Sequence, residues 1–281
     1  MLTFKTDFRT LELAYFLWSD TVTDFEAAFA QLAQAGVRNV VVNVKRGNFD
    51  FSLRRDAEQA RRILDRLGLA ATGCHGLCNG PCLLTEDDPP TRALMLSGHL
   101  NFMEHASLLG CRTYVLHIGC HAEQESSAAA WDRVRAALDQ LAPRAEALGL
   151  LLALENGFTP GYLGRSAQEL LDFVTDYADP AVGICYDSGH AHLMEGAVPA
   201  LATLAPEVVT VHLHDNAGTS DDHLLPGQGT LDWPPVMALL RTCPRLVNLE
   251  TEAANSEGWA PSRGRVVPLE EALAAYQRLL R

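Results

Sequence analysis

The chain has 281 residues, 48% of them hydrophobic, and a formal net charge of −13. That length suits one large domain, since α/β barrels run near ~250 residues as a single unit. No apolar stretch reaches the ~20 residues of a membrane span, and the acidic balance disfavours nucleic-acid binding driven by phosphate neutralisation.

The opening segment, MLTFKTDFRT, lacks the basic flank and apolar block of a signal peptide. With an odd count of seven cysteines, it predicts a cytoplasmic protein with reduced thiols. A first strand is expected around residues 11–18 (LELAYFLW), then a helix over 23–36 ending at Gly36. A β-branched strand follows over 39–44, a helix over 56–68 and a strand over 70–76. Cys74, Cys78 and Cys82 recur every four residues here, but Gly76, Gly80 and Pro81 argue against a helix that would align them as a metal site. Helical spacing over 91–110 precedes a strand over 113–119, and that over 126–149 precedes a strand over 150–157. A helix over 166–177 precedes the strand VGICYD, and a less periodic one over 196–205 precedes VVTVHLHDN. Helix 233–243, strand 245–252 and helix 268–280 complete the chain.

Near-continuous apolar strands alternating with helices indicate a parallel sheet covered by helices. Eight such units predict one closed (β/α)8 TIM barrel over residues 1–281. No G-x-G-x-x-G follows the first strand, which weighs against a doubly wound sheet.

Six of the strands end in a residue able to bind a divalent metal: His75, His117, Glu155, Asp187, His212 and Glu250. The steps between them are 42, 38, 32, 25 and 38 residues, the size of one strand-plus-helix unit. A parallel barrel would gather all six at one mouth, where such barrels place their chemistry. Strand period sharpens this. Val209, Val211 and Leu213 are expected to face the helices, with Thr210, His212 and His214 inward. Val247 and Leu249 should likewise face out, with Asn248 and Glu250 inward. Glu155, Asp187, His212 and Glu250 form an oxygen-rich set with one imidazole, suited to Mn²⁺, Mg²⁺ or Co²⁺ rather than a Cys-rich structural zinc. His190, three residues past Asp187, can aim at the same cavity, and His192 is expected on the outer side of the turn. His75 and His117 stand equally as ligands or as hydrogen-bonded core residues. Asp221 and His223, in DDHLLPGQGTLDW, sit on a tight-turn loop that can act as a lid, before a helix capped by Asp232.

The motifs LENG, YDSGHAH, HLHDN, D-x-H-x-x-P-G-x-G-x-x-D-W and LE together resemble the xylose-isomerase-like superfamily of TIM barrels, with spacing that covers nearly the whole chain. Within it the sequence is similar to the sugar phosphate isomerase/epimerase proteins and the D-tagatose 3-epimerase type. The resemblance implies one divalent ion, Mn²⁺ above Mg²⁺, Co²⁺ or Zn²⁺, on Glu155, Asp187, His212 and Glu250. His212 rather than His214 matches, because the motif reads H-x-x-D and ends at Asp215. Glu155 and Glu250 would exchange a proton with a small sugar or polyol ketone, and His190, His75, His117, Asp221 and His223 would contact it. The same superfamily contains endonuclease IV, a three-zinc enzyme whose nine ligands all find a counterpart here. The strand-end loops lack the Arg, Lys and aromatic clusters that grip bent DNA. A lyase on the same metal scaffold and a non-enzymatic sugar-binding barrel are further readings. Exposed barrel helices are compatible with a homo-oligomer.

Overall fold

The computed structural model describes residues 12–16, 24–43, 45–46, 48–78, 83–253 and 267–280. Residues 11, 17–18 and 44 of the expected first two strands, residue 23 of the first expected helix, and Gly80, Pro81 and Cys82, lie outside them. The chain passes through β1 (Leu13–Phe16), α1 (Phe25–Gln34), β2 (Asn39–Val42) and a short antiparallel hairpin, β3 (Lys45–Arg46) and β4 (Phe49–Asp50). It continues through α2 (Arg54–Leu67), β5 (Ala70–His75), α3 (Pro89–Leu109), β6 (Thr113–Leu116), α4 (Ser127–Leu148), β7 (Leu151–Glu155) and α5 (Ala167–Tyr177). The last third holds β8 (Val182–Asp187), α6 (Ser188–Met194), α7 (Ala197–Leu204), β9 (Val208–Leu213), α8 (Trp233–Leu240), β10 (Leu249–Thr251) and α9 (Leu269–Leu279). Eight strands close in the order β1-β10-β9-β8-β7-β6-β5-β2, all barrel pairs parallel. The expected (β/α)8 barrel is the fold.

Local chemistry sets the helix starts. Asp24, Asp88 and Ser126 accept the third backbone N–H of α1, α3 and α4, satisfying donors that have no partner within the helix. Asp232 occupies the cap position of α8 without making that bond. Among the described residues, no helix is long and apolar enough to cross a membrane.

Two apolar layers separate. Tyr114, Leu116, Leu152, Leu154, Val211 and Leu213 join the large core beneath the helices. Val115, Leu151, Ala153, Cys185, Val209 and Val247 form a smaller cluster inside the barrel. Val209 and Val247 therefore contradict the expected outward orientation. The register between β8 and β9 shifts, pairing Ile184 with Val208 but Cys185 with Thr210, so Val209 is an extra residue in a bulge. Beyond it the period of two resumes, with Val211 outward and His212 inward. Val247 precedes β10, which is shorter than the expected 245–252, and donates its N–H to Val209 O at 2.9 Å. The hairpin β3–β4 and the helix α6 were not expected. YDSGHAH turns helical at once after β8 because Asp187 Oδ1 accepts the His190 N–H at 2.7 Å.

Candidate metal centre

Glu155 ends β7, Asp187 ends β8 and His212 lies near the end of β9, all nearly or fully buried. Asn156 ties the first two strand ends together: its Oδ1 accepts Asp187 N–H at 2.8 Å, and its Nδ2 donates to Asp187 O at 3.1 Å. Around His212 Nδ1 stand Glu155 Oε1 at 2.9 Å, Glu252 Oε2 at 3.0 Å and Asp187 Oδ2 at 3.7 Å. His117 Nε2 lies 2.8 Å from Glu155 Oε2, and His75 Nε2 lies 3.9 Å from Glu252 Oε1. The His75 ring is 5.0 Å from that of His117 and 5.5 Å from that of His212.

Glu252 is the residue the sequence reading missed. Glu250, expected among the ligands, sits two residues deeper on the same inward face. It does not face Nδ1 of His212: its Oε2 lies 3.5 Å from Nε2, the other ring nitrogen. Its Oε1 accepts from Thr210 Oγ1, Thr113 Oγ1 and Asn248 Nδ2 at 2.8, 3.2 and 2.9 Å. The E-T-E spacing was the available signal, because alternation puts both acids on one face.

The remaining expected residues form an adjoining cluster. His190 Nε2 and His223 Nε2 lie 3.4 and 3.0 Å from Asp221 Oδ2. His214, passed over in favour of His212, belongs here: its Nε2 is 3.0 Å from each Asp187 oxygen, and its ring stacks on His223 at 4.0 Å. This contact needs Gly189, since a Cβ there would lie 2.0 Å from His214 Cε1. Asp187 thus touches both clusters. Asp215 anchors the loop carrying Asp221 and His223: it accepts N–H groups of Gly227 and Leu231 and the Trp233 indole N–H at 2.9–3.1 Å. His192 faces away and bonds Thr230 Oγ1 at 2.9 Å.

Burial opposes charge throughout, and the partners decide the outcome. Burial, with His117 and His212 nearby, pushes His75 down to about 3, so it is neutral. Burial alone would raise Glu155, but His117 and His212 hold its carboxyl well below the usual range. Asp187 is lowered likewise, against burial, by His190 and His214. Burial works against protonation of His223, yet the bond to Asp221 lifts it to about 9. Burial raises Glu252, which His212 only partly offsets.

These residues fit a cation. One ring nitrogen holds at most one proton and cannot serve three carboxylates at once, whereas a divalent ion can. Ligand atoms of His75, His117 and Glu155, of His75, His212 and Glu252, and of His214, Asp221 and His223 each lie within 4.8 Å of one another. Carboxylates with imidazoles suit Mn²⁺, Mg²⁺, Co²⁺ or Zn²⁺. A cavity of about 460 Å³ opens over the set, with Glu155, Glu252, His190 and Asp221 on its floor and Phe158 and Tyr162 in its lining. That volume suits a small-molecule site.

The model of the xylose isomerase-like TIM barrel family matches residues 29–278. Among curated relatives, protein y4fM of Sinorhizobium fredii is 46% identical over 61 residues, 21% of this chain and 20% of that protein. Protein MJ1311 of Methanocaldococcus jannaschii is 33% identical over 109 residues, 37% of each chain. The matched segments thus span well under half of those relatives. Among solved structures, D-psicose 3-epimerase in the presence of D-fructose superposes with a TM-score of 0.79 at 16% identity, over 96% of this chain and 99% of its own. The IolI protein with a bound zinc atom superposes with a TM-score of 0.80 at 15% identity, over 96% of both chains. At such identities the likeness is one of fold.

Proposed function

Because the chain belongs to the xylose isomerase-like TIM barrel family, we propose that it is a metal-dependent isomerase or epimerase acting on a small sugar or related polyol ketone. The observation that carries this reading is the convergence of Glu155, Asp187 and Glu252 on His212 Nδ1 beneath the cavity. Those four residues would hold one divalent ion, with His75 and His117 beside it. Such an ion polarises a carbonyl and its neighbouring hydroxyl, which acidifies the adjacent C–H.

Glu155 and Glu252 flank one ring nitrogen, so two carboxylates are offered to a substrate carbon from neighbouring positions. Glu155, held ionised, takes the proton as base. Glu252, on the other side of the same ring nitrogen, is the group that returns a proton. His190, anchored through Nδ1 to Asn156 O at 2.9 Å, donates from Nε2 to a substrate oxygen. None of the described lining residues is Lys or Arg, which favours an unphosphorylated substrate. The neighbouring epimerase's fructose makes ketohexoses the first candidates.

The test is turnover of D-fructose, D-tagatose and D-psicose in heavy water with added Mn²⁺. Deuterium should enter the carbon beside the carbonyl, and E155Q or E252Q should cut that exchange by about 100-fold or more even at Mn²⁺ concentrations raised until each variant is loaded, with metal content measured alongside. Absence of both exchange and isomer with every ketose would refute the proposal. A second reading, zinc-dependent phosphodiester hydrolysis, draws on the His214–Asp221–His223 cluster. Cleavage of an abasic duplex, lost in D221A/H223A, would favour it. The net charge of −13 weighs against it.

A further inference from the structure

Glu250 is a fully buried carboxylate beneath the candidate centre, and its environment is built in detail. Oε1 receives three donors, from Thr210, Thr113 and Asn248. The amide orientation of Asn248 is itself set, because Thr72 Oγ1 donates to its Oδ1 at 3.1 Å. Gly73 leaves the space: a Cβ there would lie 2.5 Å from Glu250 Oε1. Among the described residues the other oxygen, Oε2, has no hydrogen-bond partner, and neither has His212 Nε2, 3.5 Å away.

We infer that Glu250 is a positioning residue that fixes His212 in its Nε2–H tautomer, leaving the Nδ1 lone pair for a divalent cation held with Glu155, Asp187 and Glu252. The inference rests on the reading of the centre given above. A ring nitrogen bonds a cation only when deprotonated, so one proton must reside on Nε2. An acceptor placed there sets the tautomer, orients the ring and raises the basicity of Nδ1. Three donors on Oε1 turn the carboxylate so that Oε2 is the edge presented to the ring.

Glutamine cannot replace it. Its NH₂ group would face either the Asn248 donor or the Nε2–H, and both are donors. E250Q should therefore weaken Zn²⁺ binding by roughly 10- to 100-fold without removing the site. E252Q, which deletes a ligand oxygen, should weaken it more.

Zn²⁺ alone is titrated calorimetrically into the full-length chain and both variants. Long-range ¹H–¹⁵N spectra of the unmodified, Zn²⁺-loaded protein report the His212 ring directly. The expected results are a protonated Nε2 and an unprotonated Nδ1, with the stated order of affinities. A ring protonated on Nδ1, an unchanged affinity in E250Q, or a larger loss in E250Q than in E252Q would each overturn the inference. If E250Q fails to fold, the spectrum of the unmodified chain decides alone. Failure of the unmodified chain to bind Zn²⁺ would instead refute the centre itself, a result separable from the others.

Discussion

The inner wall of the barrel has two unlike sides. β1 and β2 line theirs with Ala14, Phe16 and Val41, an apolar cluster that bears no charge. β5 and β7 to β9, with the residues after β6 and β10, present His75, His117, Glu155, Asp187, His212 and Glu252. The boundary is a ring contact between Phe16 and His75, 5.6 Å apart. The apolar side does more than fill space. It offers the buried acids no polar partner, so their charges are set by the residues of the polar side.

Asp187→Ala should break the polar side most. The variant loses the α6 cap and leaves His190, His212 and His214 without a shared carboxylate. Breaking a buried ion network costs about 3–5 kcal/mol, read as a lowered Tm, and calorimetry should find divalent-ion affinity reduced by more than about 100-fold. Retained affinity would mean that the polar side serves packing only. Val41→Ala probes the apolar side. Two methylenes at ~0.8 kcal/mol each, plus a cavity term, give about 2 kcal/mol of destabilisation, with ion affinity unchanged. A large loss of affinity would show that the two sides are not separable.

The smallest effect belongs to the rim outside both. Arg133 Nη2 donates to Glu125 Oε2 at 2.8 Å, and this bond is the main cause that lowers Glu125 from 4.5 to about 2. A carboxylate lowered on folding stabilises above its unfolded value, and that contribution is lost as pH falls through the folded one. Glu125→Gln should therefore lower Tm slightly above pH 4.5, and the gap should narrow towards pH 2. A gap that widens on acidification would refute the assignment, and ion affinity should not move.

Much of this was legible in the sequence, and the exceptions have physical causes. The barrel followed from alternation, because helix and strand periods differ and both recur eight times. The convergence of Glu155, Asp187 and His212 was readable because each is a polar residue at the end of an apolar run. Glu252 was not singled out because period two puts it on the same face as Glu250, and only the register of the closed barrel sets which is nearer the mouth. Glu250 pairs with His212 across β10 and β9, which places Glu252 one step higher. His214 was passed over for a similar reason, as one of two histidines on one face. The bulge at Val209 depends on pairing with β8, a non-local fact that no run of residues encodes.

One consequence follows from how lightly β10 is held. It is three residues long and pairs with β9 through only Glu250–His212 and Thr251–Leu213. β10 also closes the barrel by pairing with β1, and Glu252 arrives just beyond its end, 177 residues after His75. A cation shared by His212 and Glu252, as proposed, would cross the β9–β10 joint and act as a clasp on the least-paired joint of the wall among the described residues. Loading the centre would then slow opening there more than elsewhere, and amide exchange at Leu249–Thr251 would gauge its occupancy directly.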